Sequence, residues 1–362
     1  MKLLILLDDP QLPSSRVSAL QFLDRMHAAG WEVDVAALRA PDLLARQRRV
    51  ESVAGRLRVG RAARPLIDRM QLRMQHRHEE TILERARNAD VVYVVKAPRL
   101  DLLRRLKALR GPRLLFHVSD AFWLPFLRAH GWAEAEEMFT LADGITTTNE
   151  YTASHIRPSN SRVFIVPDCP QVEDFDERRS SFVRGDAPLV VGWIGTPLTA
   201  PALFRIWEPL ERLATERSDW TLRLVGTGNG FINVPRFEHV RWSALPGYDQ
   251  KTMIDEVLAM HVGVFPLYAG DDALSRGSLK ALIYMSGGVA SVSQRYGDNR
   301  EVIEDGETGL LAGSEEEWLT QLRRLLDDRA LRDSIAAKGL RMVRREYSRA
   351  AVFLHLHAAL TS

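Results

Sequence analysis

The chain has 362 residues, enough for two ordinary domains, because single hydrophobic cores usually stop growing beyond ~250–300 residues. Hydrophobic residues make up 46% of it and charged residues 27%, which excludes wholesale disorder and fibrous repeats. The formal net charge is only +2, and the single cysteine, Cys169, excludes an internal disulfide framework and a four-cysteine zinc site. These features favour a packed protein of enzyme size in a reducing compartment.

The chain begins with an apolar run at residues 3–7 that is followed at once by Asp8-Asp9-Pro10. This run is too short for the core of a signal peptide and is typical of a buried first strand. No uninterrupted apolar stretch approaches the ~20 residues that cross a bilayer, so we expect no membrane-spanning helix. The sequence therefore predicts a cytoplasmic protein and leaves peripheral association with the inner face of a membrane open.

Short apolar runs alternate with longer segments of helical period in both halves of the chain. In the first half they predict strands at residues 3–7, 91–95, 113–118, 144–148 and 163–166. In the second half they predict strands at residues 189–195, 221–226, 240–242, 262–267 and 289–293. Strands that alternate with helices predict an α/β fold with parallel sheets, here two doubly wound, Rossmann-like domains.

A polar, charged run at residues 173–181 separates the two series and is typical of a surface linker. We therefore predict an N-terminal domain at residues 1–180 and a C-terminal domain at residues 187–340. Sheets of this kind bind ligands at the carboxyl ends of their strands. The functional residues are expected in the loops that follow the strands, in a cleft between the domains.

Two loops of the second domain are candidates for binding phosphate. Gly195 and Thr196 follow an apolar strand and lead towards a helical pattern, where exposed backbone N–H groups attract anions. Further along, Gly277-Ser278 precedes a helical run that begins at Leu279, and Arg276 and Lys280 flank its start. Backbone donors and two cations could converge there on one diphosphate. The alternative is that both cations are ordinary solvated side chains.

A glycine-rich stretch at residues 226–230 does not predict a nicotinamide site. Its spacing is GxGxG, and residues 231–236 after it do not open a helix. The dinucleotide fingerprint needs the glycine turn to run directly into a helix that meets the pyrophosphate.

Five segments occur in a characteristic order: residues 191–196, 222–226, 263–267, 278–288 and 299–312. In order and spacing they resemble the group 1, family-four retaining glycosyltransferases, which have the GT-B fold of two facing Rossmann-like domains. Residues 278–288 are similar to that family's Lys-x-x-(Glu/Gln)-Tyr-Met-x-x-Gly helix, and residues 299–312 to its Glu-Val-Ile-x-x-Gly-x-x-Gly motif. The first half matches more loosely, at residues 13–16 and 119–123.

The resemblance implies roles for particular residues. Arg276 and Lys280 would hold the diphosphate of a nucleotide-sugar donor and stabilise its departure. The remaining donor-binding residues would be Gly195, Thr196, Gly226, Trp242, Ser243, Ser275, Gly277, Ser278, Leu279, Asn299 and Glu301. Among them, Trp242-Ser243 would follow the third strand and face the nucleotide base, and Glu301 would lie near a sugar-binding helix start at Asn299. The resemblance also implies that residues 341–362 form a last helix that crosses back to the first domain.

The sequence departs from the family at two positions. Many members carry two glutamates eight residues apart, the second of which usually contacts the donor ribose, and the aligned residues here are Ser275 and Ile283. Isoleucine can accept no hydrogen bond. An inactive relative that binds nucleotide sugars or glycans and supports a partner transferase is therefore an alternative to an active enzyme.

On the acceptor side, Asp120 is the candidate for a group near the acceptor hydroxyl, because it ends an apolar strand. His117 lies within that strand and is more typical of a satisfied core histidine. Ser15 and Arg16 lie after the first strand, where the arginine could bind an anionic acceptor. The expected acceptor is a glycan, a glycolipid or a surface-polysaccharide precursor.

No metal and no other cofactor are predicted. Asp271-Asp272 and Asp8-Asp9 are interpreted as loop acids or caps, and in the resembling family a metal is not required. Retention of the anomeric configuration is implied only by the resemblance.

An arginine-rich segment at residues 46–78 holds ten arginines against Glu51 and Asp68. Apolar residues are interspersed among the arginines, which favours an amphipathic surface helix against anionic lipid. A solvated helix face is the alternative. Nucleic acid is not expected as a partner, because the sequence has neither zinc-finger spacing nor an RNA-recognition motif.

Overall fold

The computed structural model describes residues 1–43, 64–95, 99–121, 123–124, 131–186, 188–229 and 234–362. The chain divides into two compact units. Unit 1 holds Met1–Val166 together with Phe353–Ser362, and unit 2 holds Pro167–Val352. Each unit is built on its own six-stranded parallel sheet, so the predicted α/β class with two Rossmann-like domains is confirmed.

Unit 1 has a sheet of strand order β2-β1-β3-β4-β5-β6. The strands are β1 (Lys2–Leu7), β2 (Glu32–Ala37), β3 (Val91–Val95), β4 (Arg113–Val118), β5 (Gly144–Thr147) and β6 (Val163–Ile165). The helices are α1 (Pro13–Ser18), α2 (Leu23–Ala28), α3 (Arg64–Arg87), α4 (Leu100–Ala108), α5 (Gly131–Leu141) and α6 (Glu150–Ile156). The sequence did not predict β2, an edge strand that pairs only with β1 and carries charged residues on its exposed face.

Unit 2 has a sheet of strand order β12-β11-β10-β7-β8-β9. The strands are β7 (Leu189–Ile194), β8 (Trp220–Val225), β9 (Trp242–Leu245), β10 (Val262–Phe265), β11 (Ala290–Gln294) and β12 (Leu310–Ala312). The helices are α7 (Val172–Arg179), α8 (Trp207–Glu216), α9 (Gln250–Ala259), α10 (Asp271–Ser275), α11 (Leu279–Ser286), α12 (Asn299–Val302), α13 (Glu315–Asp327), α14 (Arg329–Glu346) and α15 (Arg349–Thr361), with a 3₁₀ helix at Ala200–Arg205.

The unit 2 sheet is covered on both faces by apolar side chains. One cluster includes residues of α8 and α13, and a second includes residues of α7, α9 and α11. Parallel strands that are buried on both faces carry near-continuous apolar runs, and these runs made the strands visible in the sequence.

The predicted linker at residues 173–181 is wrong. This stretch lies largely in α7, whose Val172 and Phe175 are buried in the second apolar cluster of unit 2. Arg178 forms an ion pair with Asp255 of α9. Two buried residues three positions apart lie on one face of a helix and can anchor it to the core, even where its other face is charged. The division between the units therefore falls at Val166 and Pro167, before the charged run.

The last helix, α15, begins in unit 2, and its residues from Phe353 onward belong to unit 1. The ring of Phe353 stacks at 6.3 Å from that of Phe22. Near the end of the helix, the guanidinium of Arg113 donates a hydrogen bond of 3.1 Å to the carbonyl of Leu360. Residues 341–346, expected in the last helix, lie instead in α14 of unit 2.

The hydroxyl of Tyr284 joins the two central strands of the unit 2 sheet. β7 and β10 pair at Val191 with Val262 and at Gly192 with Gly263. Just beyond these pairs, the buried hydroxyl of Tyr284 accepts a hydrogen bond of 3.1 Å from the N–H of Ile194 and donates one of 3.0 Å to the carbonyl of Val264.

Replacing Tyr284 by phenylalanine leaves that buried N–H and that carbonyl unpaired. Since an unsatisfied buried polar group costs about 1–3 kcal/mol, we expect Tyr284→Phe to lower the free energy of unfolding by about 2–4 kcal/mol in urea titrations. The control is Tyr268→Phe, which removes an exposed hydroxyl that donates to the carbonyl of Pro201. This change should alter the free energy of unfolding by about 0.5 kcal/mol or less. An equal loss of unfolding free energy in the two variants would contradict the role of Tyr284 in joining β7 and β10.

Candidate functional site

The strand order of unit 2 places a topological switch point between β7 and β10. Counted within the unit, the order is 3-2-1-4-5-6, and the chain leaves these two neighbouring strands towards opposite halves of the sheet. Such sheets bind ligands in the crevice outside the carboxyl ends of the strands at this point. The residues there are Gly195 and Thr196 after β7 and the segment 266–270 after β10.

The loop after β7 is tight and is held by backbone groups. The N–H of Gly195 donates to the carbonyl of Val225, and the N–H of Thr196 donates to the hydroxyl of Thr199. A Cβ atom at Gly195 would lie 2.3 Å from the ring of Trp193, so a side chain cannot be accommodated without a shift. Thr196 itself is exposed at the edge of the crevice.

Gly226, which follows β8, and Tyr248, which follows β9, both contact the loop after β7. Gly226 has a φ of +87°, and a Cβ atom on it would lie 2.1 Å from the carbonyl oxygen of Gly195. The hydroxyl of Tyr248, which follows β9, donates a hydrogen bond of 3.0 Å to that same oxygen. The predicted position of Gly226 near the site fits this arrangement, whereas the sequence did not point to Tyr248, because no motif containing it was recognised.

The predicted position of Trp242 and Ser243 after the third strand is wrong. Both lie within β9, and Trp242 pairs with Leu222 in the middle of β8. The hydroxyl of Ser243 accepts a hydrogen bond from Arg223. The sequence placed the strand at residues 240–242, earlier than it is, and the carboxyl end of β9 is in fact at Leu245.

The two predicted cations flank the start of α11, but their surroundings differ. Arg276 forms an ion pair of 2.8 Å with Asp272. Lys280 is partly buried, with its ammonium 4.9 Å from the centre of the Phe265 ring, a cation–π distance. Within the described ranges, Lys280 makes no hydrogen bond or ion pair with an acidic side chain. Burial, together with the nearby charge of Arg276, lowers the pKa of Lys280 to about 8.

The start of α11 is partly occupied by a carboxylate. The N–H of Ser278 donates a hydrogen bond of 2.8 Å to Oδ2 of Asp298. Of the other residues predicted here, Gly277 and Leu279 are partly buried, and Ser275 is fully buried, with its hydroxyl donating to the carbonyl of Asp272.

Asp298 was missed by the sequence analysis, which singled out its neighbours Asn299 and Glu301. Asn299 is buried, and its amide donates to the carbonyl of Gln294, whereas Glu301 is exposed. Burial raises the pKa of Asp298 above its usual range, and the charge of Glu301 acts in the same direction.

Ile283 packs against the apolar cluster that α7, α9 and α11 share. Neither Ile283 nor the buried Ser275 brings a carboxylate to this end of the sheet. At the two positions where the sequence departs from the glutamate pattern, Ile283 therefore makes apolar contacts and Ser275 provides a buried hydroxyl.

In unit 1, Asp120 lies two residues beyond the carboxyl end of β4 and is partly buried. His117 is buried within β4, with Nδ1 2.9 Å from the hydroxyl of Thr146, which in turn lies 3.0 Å from the hydroxyl of Tyr93. This chain of buried polar contacts across three neighbouring strands pairs Nδ1 of His117 inside unit 1, as expected for a core histidine. The structure brings His117 and Asp120 to the same end of one strand, but only Asp120 reaches the loop.

The two predicted acceptor residues in α1 differ in exposure. Ser15 is buried, and its hydroxyl donates to the carbonyl of Asp9, so it holds the loop after β1 together. Arg16 is partly buried beside it.

Of the arginine-rich segment, residues 46–63 lie outside the described residues. The rest belongs to α3, where Arg69, Arg73 and Arg77 are exposed at intervals of four residues. Met70 and Leu72 are exposed on the same helix.

No group of three or more His, Cys, Asp or Glu side chains that could hold a metal ion occurs in the part of the chain that the structure describes. In that same part, none of the helices combines the length and the apolar character needed to cross a membrane.

Residues 189–328, which include every strand and loop of this site, match the family model of the group 1 glycosyl transferases. This segment is a group 1 glycosyltransferase domain. It covers most of unit 2, from β7 to the end of α13. A comparison of the sequence with curated proteins finds no match.

Solved glycosyltransferase structures share the fold of the entire chain. HepE of Anabaena, in complex with UDP-glucose, superposes with a TM-score of 0.68 at 14% identity and covers 100% of this chain and 99% of its own. Sucrose-phosphate synthase of Thermosynechococcus elongatus gives 0.66 at 13% identity, with 99% and 98% covered. A glycosyltransferase of Rickettsia africae gives 0.68 at 10% identity, with 99% and 97% covered. The chain thus has the GT-B fold predicted from its motifs.

The contact between Gly226 and Gly195 can be tested directly. Because Gly226→Ala combines a positive φ with a Cβ atom in contact with the Gly195 carbonyl, we expect it to lower the free energy of unfolding by at least about 1–3 kcal/mol. The matched control is Gly247→Ala, in the loop after β9, where an added Cβ meets nothing within 4 Å. Unfolding curves in urea that coincide for the two variants would show that the two loops are not in close contact.

Proposed function

We propose that this protein is a retaining glycosyltransferase that moves a sugar from a nucleotide-diphosphate donor to a hydroxyl acceptor. The donor diphosphate would lie at the start of α11, between the loops that follow β7 and β10. The observation that carries the proposal is the environment of Lys280, a partly buried cation with no acidic partner among the described residues.

An ammonium group in such a place is destabilised when no anion is present. Burial of a charge is unfavourable unless a partner of opposite charge compensates it, and burial together with the nearby charge of Arg276 lowers the pKa of Lys280. A diphosphate would supply the negative charge. It would also accept hydrogen bonds from the guanidinium of Arg276, which in the free protein is paired with Asp272.

The same groups would act on the reaction itself. When the bond between the sugar and the phosphate breaks, negative charge builds up on the leaving diphosphate. Fixed cations aimed at that charge stabilise the transition state more than the ground state. Lys280 and Arg276 would serve this purpose without a metal ion, so full activity in the presence of a chelator is part of the proposal.

The neighbouring structures guide the choice of donor. HepE was crystallised with UDP-glucose and with UDP, and another neighbour is a UDP-forming trehalose-phosphate synthase. UDP-glucose is therefore the first donor to test. The retaining outcome rests on the resemblance of the motifs at residues 278–288 and 299–312 to the retaining family.

For the acceptor side we propose a glycan, a glycolipid or a surface-polysaccharide precursor, bound near Asp120 and Arg16 in unit 1. The exposed arginines of α3, four residues apart and next to exposed Met70 and Leu72, support contact of the segment 46–78 with an anionic membrane surface. On this reading the protein acts in the cytoplasm at the inner membrane face.

One alternative has a specific observation in its favour. Because Ile283 packs in the apolar cluster and Ser275 is a buried serine, neither supplies the carboxylate that many members of the resembling family carry. A catalytically weak or inactive protein that binds nucleotide sugars or glycans and supports a partner transferase would show saturable donor binding without release of sugar.

The role of Lys280 is tested by comparing Lys280→Gln with Lys251→Gln, which changes an exposed lysine of α9. We expect saturating UDP or UDP-glucose to raise the melting temperature of the wild type and of Lys251→Gln, because a ligand that binds only the folded state stabilises it. In Lys280→Gln the Kd for both ligands should rise by about tenfold or more, as for a lost charge-assisted hydrogen bond. Equal affinities for the two variants would contradict the proposed diphosphate site, and binding without turnover would favour the inactive relative.

The affinity for UDP should depend on pH through Lys280. The free protein loses the Lys280 proton near pH 8, whereas the complex keeps it, so binding takes up a proton above that pH. The Kd should therefore rise with pH, by up to about tenfold per unit, in calorimetric titrations from about pH 7.5 to about 9.5. Lys280→Arg keeps its charge throughout this range and should give a flat profile. A flat profile in the wild type would show that Lys280 does not pair with the ligand.

A further inference from the structure

An open cavity of about 320 Å³ lies in unit 2 at the amino ends of the strands. Its walls come from α7 and the segment that leads to β7, from the ends of α9 and α11, and from α14. The proposed donor site lies at the carboxyl ends of the same sheet, and none of the residues assigned to it lines this cavity. The cavity is therefore a separate feature of unit 2, which the proposed function does not use.

Most of the cavity wall is apolar. Phe182, Leu258 and Leu340 belong to the apolar cluster that α7, α9 and α11 share or pack against it, and Ala336 and Ala337 of α14 also line the cavity. Sites for small molecules are mostly apolar with a few placed polar groups, and their volumes begin at about 300 Å³. The cavity thus has the composition and the size of a site for a small ligand.

The guanidinium of Arg184 is the main polar group of the cavity. Its Nε donates a hydrogen bond of 2.8 Å to the carbonyl of Leu258, and its Nη2 lies 3.4 Å from the carbonyl oxygens of both Gly287 and Gly288. The two longer contacts are weak, since hydrogen bonds of this kind are usually about 2.7–3.2 Å long. Within the described part of the chain, Nη1 has no hydrogen-bond partner and Arg184 has no ion pair. Arg184 therefore keeps donors for a stronger acceptor.

The surroundings of Arg184 are positively charged. Arg179 also lines the cavity, where it pairs with Asp176, and Arg332 approaches from α14. Burial lowers the pKa of Arg184, and the charges of Arg179 and Arg332 lower it further, against the opposing charge of the exposed Asp333. An oxyanion next to Arg184 would compensate this charge and accept charge-assisted hydrogen bonds from its guanidinium.

We propose that this cavity binds a small organic anion, with its carboxylate or phosphate group at Arg184 and its apolar part against Phe182, Leu258 and Leu340. Both parts of the ligand are needed. An inorganic anion would leave the apolar walls uncovered, and a neutral apolar molecule would leave the charge of Arg184 without a partner. The inference does not rest on the proposed function, because the cavity and Lys280 lie at opposite ends of the sheet.

Short amphiphilic anions test the proposal in thermal unfolding of the whole chain at constant ionic strength. The probes are hexanoate and hexyl phosphate, which differ in the anionic group. We expect at least one of them to raise the melting temperature in a saturable way, because a ligand that binds only the folded state stabilises it. Hexanol, acetate and inorganic phosphate each lack one part of the proposed ligand and should bind at least about fivefold more weakly. If neither probe raises the melting temperature, the proposal is overturned.

Three substitutions then locate the bound anion. Arg184→Gln should raise the Kd for the better probe by about tenfold or more, as for a lost charge-assisted hydrogen bond. Arg341→Gln removes the same charge from an exposed arginine of α14 that does not line the cavity, and should leave the Kd unchanged. Lys280→Gln should also leave it unchanged. A loss of binding in Lys280→Gln but not in Arg184→Gln would place the anion at the start of α11 and overturn the proposal.

A further variant leaves Arg184 and its contacts within unit 2 in place. Ala337→Phe adds volume to an exposed position of the cavity wall, so it should weaken binding of the probe by at least about fivefold and leave the Kd for UDP unchanged. Wild-type affinity for the probe in both Arg184→Gln and Ala337→Phe would show that the cavity is not the site. Failure of the wild type to bind UDP would overturn the proposed function alone.

Discussion

The hydroxyl of Tyr284 fixes the geometry of the sheet and helix on which the proposed donor site depends. β7 and β10 are the two strands from which the chain leaves in opposite directions, so the topological switch point lies where their pairing ends. One phenol group joins the N–H of one strand to the carbonyl of the other at this point. Because Tyr284 belongs to α11, the same side chain sets the distance between the sheet and the helix that carries Lys280. The ring of Tyr284 also packs closely against Gly263, where an added Cβ atom would lie 2.5 Å from the ring.

The electrostatics of the crevice favour ligand binding over stability of the free protein. Lys280 is held with its charge uncompensated, and its pKa of about 8 means that the folded state binds the proton less tightly than the unfolded chain does. Between pH 8 and the ordinary pKa of 10.5, stability of the free protein therefore rises with pH, because the unfolded state binds more protons. Below pH 8 the full cost of the buried charge is present. On the proposed function, binding of the donor diphosphate would remove that cost.

The sequence predicted the architecture because parallel strands buried on both faces leave continuous apolar runs, and the glycines and cations of the site stand next to those runs. It failed where the signal is short or where the deciding contact is distant in the chain. β2 is an edge strand of alternating character, and α7 was taken for a linker because only Val172 and Phe175 mark its buried face. The third strand was predicted at residues 240–242 with Ser243 beyond it, whereas β9 runs from Trp242 to Leu245 and contains both residues. Tyr248 and Asp298 were missed because each acts through a hydrogen bond to a residue at least twenty positions away, which no local pattern encodes.

The start of α11 combines a contact to a carboxylate with two nearby cations, Arg276 and Lys280. Here the carboxylate of Asp298 takes the N–H of Ser278 and turns that side of the terminus acidic, while Lys280 lies one helical position beyond Leu279 over the Phe265 ring. The acidic and the cationic groups lie on different elements, since Asp298 precedes α12 and Lys280 belongs to α11. On the proposed function, the cations Arg276 and Lys280 would face the diphosphate of the donor.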